Sequence, residues 1–377
     1  MKKYLGLYIS LGIFFLVLFF SCAHEKPGWQ GTITEENGVT IVKNPKEPVY
    51  TENVFTLEEE MAWGQKTDSQ DHFFASIRAL QVDEAGNIYV LDPKDCQIKI
   101  FHKEGKFVQA VSRKGQGPGE IQLPLTMEIA GGDTLVLYDM GKTCFSLFSL
   151  SGEFIRQKSA AEYLYLIRVR PDHSGHYIVQ TPVRTPEKTE YQILLLDSDF
   201  ELINEVVSIE EKRTPSGIIS MLSPQVYYMV TREGHILFGY TKNYELQLLD
   251  QKGSLLKKII KDYEPLPVTR EVKERMIKER FEELGGLPEG YKTEFPDQYP
   301  PFRYFILDSE ERIFVRTYEK SEDGDYIFDI FDPEGRYLGS RPLPDRPAVL
   351  KDGKLYTIEE DAEGYPLVKR YRFNWTI

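Results

Sequence analysis

One pattern recurs along the chain and constrains its fold more than any other feature: a glycine or acidic turn, a β run, then an aliphatic or aromatic residue followed by x-x-x-Gly-x and another apolar residue. The first half occurs six times, as Gly86-Asn-Ile-Tyr-Val-Leu-Asp92, Gly132-Asp-Thr-Leu-Val-Leu-Tyr-Asp139, Gly175-His-Tyr-Ile-Val-Gln-Thr181, Gly234-His-Ile-Leu-Phe-Gly-Tyr-Thr241, Glu311-Arg-Ile-Phe-Val-Arg-Thr317 and Gly353-Lys-Leu-Tyr-Thr-Ile358. The second half occurs five times, at Phe101-His-Lys-Glu-Gly105-Lys-Phe107, Phe148-Ser-Leu-Ser-Gly152-Glu-Phe154, Leu196-Asp-Ser-Asp-Phe200-Glu-Leu202, Leu249-Asp-Gln-Lys-Gly253-Ser-Leu255 and Phe331-Asp-Pro-Glu-Gly335-Arg-Tyr337, with Phe200 standing where the other copies have glycine. Units of about 45 residues, each several short strands divided by turn residues, are the sequence form of β-propeller blades. The expected fold is all-β, a six-bladed propeller, and a closed ring makes one domain of a length that would otherwise suggest two or three.

The blades are expected at residues 76–111, 125–157, 164–209, 226–261, 302–341 and 348–377. The sixth lacks an outer strand, and the β-like run at 54–63 is expected to supply it, closing the ring and removing exposed sheet edges. The domain division that follows is 1–21 signal peptide, 22–53 tether and lead-in, and 54–377 propeller. Residues 262–301 form an insertion between blades four and five. Its middle, 269–284, places Val272, Met276, Ile277, Phe281 and Leu284 along one helical face, with Thr269 to cap it and Gly285-Gly286 to stop it. Such a helix either covers a channel mouth, meets a partner or packs on the blade rims.

Export is written at the start of the chain. Met1-Lys2-Lys3 leads into sixteen uncharged residues, 5–20, too short for a membrane span and typical of a secretory signal. Phe19-Phe20-Ser21-Cys22 resembles the lipobox of bacterial lipoproteins, with Phe19 where leucine is usual. The resemblance implies cleavage before Cys22 and lipid on that residue, which would hold the protein to a membrane facing the periplasm or the cell exterior. The remaining cysteines, Cys96 and Cys144, fall in equivalent strands of neighbouring repeats, too far apart for a disulfide, and are expected as buried thiols.

Charge narrows the partners. With 46 basic and 59 acidic residues the net charge is -13, a surface that repels phosphate backbones, so no nucleic acid partner is expected. The glycine-rich run Lys114-Gly-Gln-Gly-Pro-Gly-Glu120 lacks the following helix and the Lys-Ser/Thr pair of a phosphate-binding loop and reads as a tight turn between blades.

Gly86-Asn-Ile-Tyr-Val-Leu-Asp92, Lys99-Ile-Phe-His-Lys-Glu-Gly-Lys-Phe-Val108, Gly115-Gln-Gly-Pro-Gly-Glu120 and the lead-in Asn37-Gly-Val-Thr-Ile-Val-Lys-Asn-Pro-Lys-Glu-Pro48 together resemble the bacterial six-bladed β-propeller lipoproteins related to NHL-repeat proteins. The resemblance covers most of the chain and implies an exported propeller that serves as a binding or scaffold module.

Chemistry is faint by comparison. The six histidines include His24 and the turn pair His173 and His176, and none recurs at an inner-strand position, so no metal site is assigned. No nucleophile elbow or paired acids stand out. Arginine does recur: Arg78, Arg168, Arg303 and Arg346 fall near the start of the inner strands of blades one, three, five and six. They are expected either to converge on one channel mouth as an anion site or to pair with carboxylates and staple the ring. The 23 tyrosines and 22 phenylalanines suit sugar stacking, and equally suit strand packing. The reading favours a non-enzymatic module, needing no cofactor, for a small molecule, glycan or protein. The alternative is a hydrolase or lyase with a divalent metal on the axis.

Overall fold

Each repeat folds because its turn chemistry is local. In the turns of blades three and four an aspartate accepts backbone N–H groups two and four residues on, Asp250 from Lys252 (2.8 Å) and Ser254 (2.7 Å), Asp197 from Asp199 (2.8 Å) and Glu201 (2.9 Å), and in blade two Ser149 Oγ accepts from the Glu153 N–H. The glycine that follows lies at positive φ, 84° at Gly253 and 92° at Gly335. Phe200 adopts the same left-handed conformation at φ 63°, at a cost of roughly 1–2 kcal/mol. It is held there by stacking between Phe145 (4.0 Å) and Tyr177 (4.3 Å).

The structure is a computed structural model that describes residues 28–64, 73–163, 165–344 and 346–376. The six repeats form six antiparallel sheets. Their inner strands are Ala79–Val82, Pro124–Ala130, Arg168–Pro171, Val226–Val230, Tyr304–Leu307 and Pro347–Lys351. These lie side by side in the order six, one, two, three, four, five, and each interface between neighbouring blades carries its own buried apolar cluster. The core is thus divided among six blade interfaces. In blades one and two a buried aspartate at the end of the second strand holds the chain that leads into the inner strand: Asp92 accepts from the N–H groups of Ala75 and Ser76, and Asp139 from those of Gln122 and Leu123.

The ring closes as the sequence predicts. Phe55–Trp63 pairs antiparallel with Pro366–Trp375, from Trp375↔Phe55 to Val368↔Trp63, and becomes the outer strand of blade six. The lead-in is a correction. Thr32–Glu36 and Val39–Asn44 form a hairpin through Asn37-Gly38, both at positive φ, and Val39–Asn44 pairs parallel with Leu255–Lys261, so the blade-four sheet has six strands. Asn44, buried, donates to the carbonyls of Ile260 (3.2 Å) and Gly335 (2.9 Å) and accepts from the Tyr337 N–H (2.7 Å), clamping blade four to blade five. The signal segment, Cys22 and His24 lie outside the described residues.

Smaller differences follow from local bonding. The inner strand of blade three begins at Arg168 rather than 164, after a 3-10 turn at Ala161–Tyr163 whose last carbonyl accepts from the Thr181 hydroxyl. Cys96 and Cys144 are free and buried, but Cys96 sits in the turn before its strand, at φ 53°. The glycine-rich run is an inter-blade turn whose interior its own Glu120 fills, accepting from the Gly117 N–H (2.8 Å) and Arg113 (2.8 Å).

The inserted helix spans Arg270–Phe281, its first turn capped by the Thr269 hydroxyl accepting from the Val272 N–H, and a short 3-10 turn ends at Gly285, φ 73°. Its apolar face packs less than the spacing predicts. Phe281 is buried, Val272, Met276 and Ile277 are half-buried, and Leu284 is 71% exposed. The insertion is tied down elsewhere, by the parallel pairing of Lys292–Glu294 with Ile218–Ser220.

Candidate functional site

A residue just before an inner strand stands at one end of the axis, and the arginines found there by counting do meet. Arg78, Arg168, Arg303 and Arg346 line a single cavity of about 510 Å³, together with Arg170 and Arg316. Glu128 is the one carboxylate among the described residues lining it. In a chain of net charge -13 this is a local reversal of sign, and low-dielectric walls concentrate the field inside such a cavity.

The ways these side chains are held differ. Arg78 donates from Nε to the Leu125 carbonyl of blade two (3.2 Å), and Arg346 from Nη2 to the Ile77 carbonyl of blade one (3.3 Å). Both therefore bridge neighbouring blades, but through backbone oxygens. Arg168 donates to Gln180 Oε1 (3.0 Å) and lies over the Tyr227 ring, 3.8 Å from its centre. None of the four sequence-predicted arginines forms an ion pair with a carboxylate among the described residues. Arg316, 1% exposed, lies 3.4 Å over the Tyr326 ring.

Deeper in the cavity, three blades exchange polar contacts. Gln81 of blade one donates to Glu128 Oε2 (2.8 Å), and Arg170 Nη1 of blade three lies 3.5 Å from Glu128 Oε1. The Arg170 Nε is buried with no hydrogen-bond partner among the described residues. Only 16% of the Glu128 side chain is exposed, and this burial raises its pKa above the usual carboxylate range, with Arg170 and Arg168 acting in the opposite direction.

Counting from turns finds a residue at a strand start and misses what tertiary convergence adds. Arg170 had a usable signal, because it lies two residues after Arg168 and a strand puts alternate residues on one face. Arg316 comes from a second strand, Ile313–Lys320, where it pairs with Tyr304, and Glu128 is an isolated acid in an apolar strand. Neither had a signal of its own. In the His173 and His176 turn, His176 Nδ1 contacts Asp172 (3.2 Å), and no group of three or more His, Cys, Asp or Glu side chains placed to hold a metal occurs among the described residues.

A second cavity, of about 710 Å³, lies between the inserted helix and blades four and five. Arg303 belongs to the walls of both cavities, and Tyr326, which lines the second, carries on its ring the Arg316 that lines the first. The helix therefore stands beside the arginine-bearing end of the axis.

Comparison with curated proteins finds no match. Among solved structures the fold is similar to a protein of Bacteroides fragilis described as exported, at 10% identity and TM-score 0.58 over 89% of this chain and 100% of that one. It is similar also to a DUF4221 family member from Bacteroides vulgatus, at 11% identity and TM-score 0.53 over 86% and 99%. At these identities the likeness shows the fold. Residues 68–264 match the family DUF5128, described as 6-bladed beta-propeller, and the six observed blades agree with that match: the chain belongs to this propeller family.

Proposed function

We propose that the protein is an exported, lipid-anchored binding module that takes an anionic small molecule or the anionic end of a larger one into the axial cavity. The observation that carries this is the convergence of arginines from blades one, three, five and six on one cavity, in which Glu128 is the one carboxylate among the described lining residues. Guanidinium forks bind carboxylate, sulfate and phosphate oxygens in pairs. A cavity of this volume suits a ligand of small-molecule size. Export is supported by the basic start and apolar run of the sequence and by the fold's likeness to a protein described as exported. Attachment at Cys22 rests on Phe19-Phe20-Ser21-Cys22 alone.

Titration calorimetry of the chain from residue 28 onward with sulfate, phosphate and citrate tests the reading. Binding of at least one of these is expected, and the triple variant Arg78→Ala/Arg168→Ala/Arg303→Ala is expected to weaken it by at least about 100-fold, since each charge-assisted hydrogen bond is worth about 1.5–3 kcal/mol. A lowered melting temperature with unchanged affinity would assign the arginines to the ring rather than to a ligand, and a wild-type chain that binds none of the three would sink the proposal.

Affinity should also depend on pH. Glu128 faces Gln81, Arg168, Arg170 and the buried Tyr228, none of which changes charge between pH 5.5 and 8, because burial raises the tyrosine further. Protonating Glu128 removes the negative charge from the cavity, so sulfate should bind more tightly as pH falls through its raised pKa. Glu128→Gln should bind sulfate with nearly the same affinity across that range. A wild-type profile as flat as that of the variant would show that Glu128 does not face the anion.

A further inference from the structure

Resting on the anion-binding reading above, we propose that the axial cavity and the cavity under the inserted helix form one two-chambered site, and that its ligand is an acidic oligosaccharide, a chain of sugar rings carrying carboxylates. Three observations lead there. The chambers share Arg303 and meet again where Arg316 lies on Tyr326. The second chamber repeats the charge of the first: Arg275, Arg280 and Lys320 line it with Arg303, against Glu279 alone among the described acidic residues. Its remaining walls include Tyr299 and Tyr318, half-buried and stacked on each other at 4.7 Å between ring centres.

Cations spread over two chambers, with aromatic plates in the second, suit a ligand whose anionic groups are spaced along its length. A nucleotide gathers its charges on adjoining phosphates at one end and would reach the cations of one chamber only. A neutral oligosaccharide would use the tyrosines and bring no anionic group to the guanidinium forks of either chamber. A chain of uronic acid rings matches both features, because each ring offers an apolar face to a tyrosine and a carboxylate to an arginine fork. Joining two chambers through one ligand makes the second binding event intramolecular, so affinity should climb with ligand length and not only with charge.

The test is calorimetry with galacturonic acid and its dimer and tetramer, with maltotetraose as the neutral control, on the chain from residue 28 onward. The expected result is a tetramer bound at least about 30-fold more tightly than the monomer, with no binding of maltotetraose. In Arg275→Ala/Arg280→Ala, on the solvent-facing helix, the tetramer-to-monomer ratio should collapse to within about threefold, with thermal melts confirming that the variant is folded. Tyr299→Ala should lower the same ratio without removing a charge. Equal affinity for monomer and tetramer, or a ratio that survives the helix variant, overturns the two-chambered site. Binding of sulfate or citrate without binding of any galacturonide overturns the ligand class while leaving the axial anion site intact. Failure of every anion to bind removes both.

Discussion

A chain that begins at residue 65 is expected to collect as aggregate, whereas one that begins at residue 46 keeps a single cooperative melt at a lowered temperature. The difference lies in Phe55–Trp63. This strand contributes Phe55 and Trp63 to the core of blade six, and the preceding Val54 is fully buried. Phe55 packs edge-on against Phe373 (4.6 Å) and Trp375 (5.3 Å). Three large side chains at about 1.5–3 kcal/mol each, together with the strand ladder and the partly buried Arg370–Glu60 pair (2.9 Å), approach the whole net stability of a typical domain, about 5–15 kcal/mol. Without the strand, Pro366–Trp375 becomes an open edge bearing aromatic residues, a template for pairing with other copies. Removing residues 28–45 instead takes away the hairpin and the Asn44 clamp, but blade four keeps its own four strands. Size-exclusion chromatography and circular dichroism of the two chains decide the matter. A monomeric, strand-rich chain starting at residue 65 would mean that the ring holds without its closing strand.

The parts of this fold that could be read from sequence are those whose cause is local. Asp-x-x-Gly turns recur because an aspartate satisfying two N–H groups and a glycine at positive φ are both needed within five residues, so the same letters return in every blade but the second, where Ser149 takes the aspartate's place. The helix was equally plain, because Thr269 and Gly285 stop it at both ends whatever it packs against. The hairpin at 32–44 also has a local cause, because Asn37-Gly38 between alternating residues is a strong two-residue turn signal; its parallel pairing with blade four has none. What could not be read is membership of a cavity. Arg78 and Arg346 are neighbours across the blade junction only because the ring closes, and Glu128 meets Gln81 and Arg170 across three blades. The chamber under the helix has no sequence signature at all, being a space left between an insertion and two blades.

A buried ion pair joins the successive blades four and five. Asp329, 3% exposed in Tyr326–Phe331, accepts hydrogen bonds from the hydroxyls of Tyr244, Tyr337 (3.1 Å) and Ser340 (2.6 Å). Lys261, 8% exposed at the end of Leu255–Lys261, brings its ammonium to 3.2 Å from the same carboxylate and 4.4 Å from the Tyr337 ring centre. Asp329→Ala should therefore cost about 3–5 kcal/mol, because it leaves a buried ammonium without its counter-charge and removes the acceptor that three hydroxyls share. In denaturant melts at pH 7, Asp329→Ala/Lys261→Met should recover part of the loss by removing the stranded charge. A single variant within about 0.5 kcal/mol of wild type, or a double variant no more stable than the single one, would mean that the pair is solvated or that Lys261 swings free once its partner is gone, and the blade interface would then rest on its apolar cluster alone.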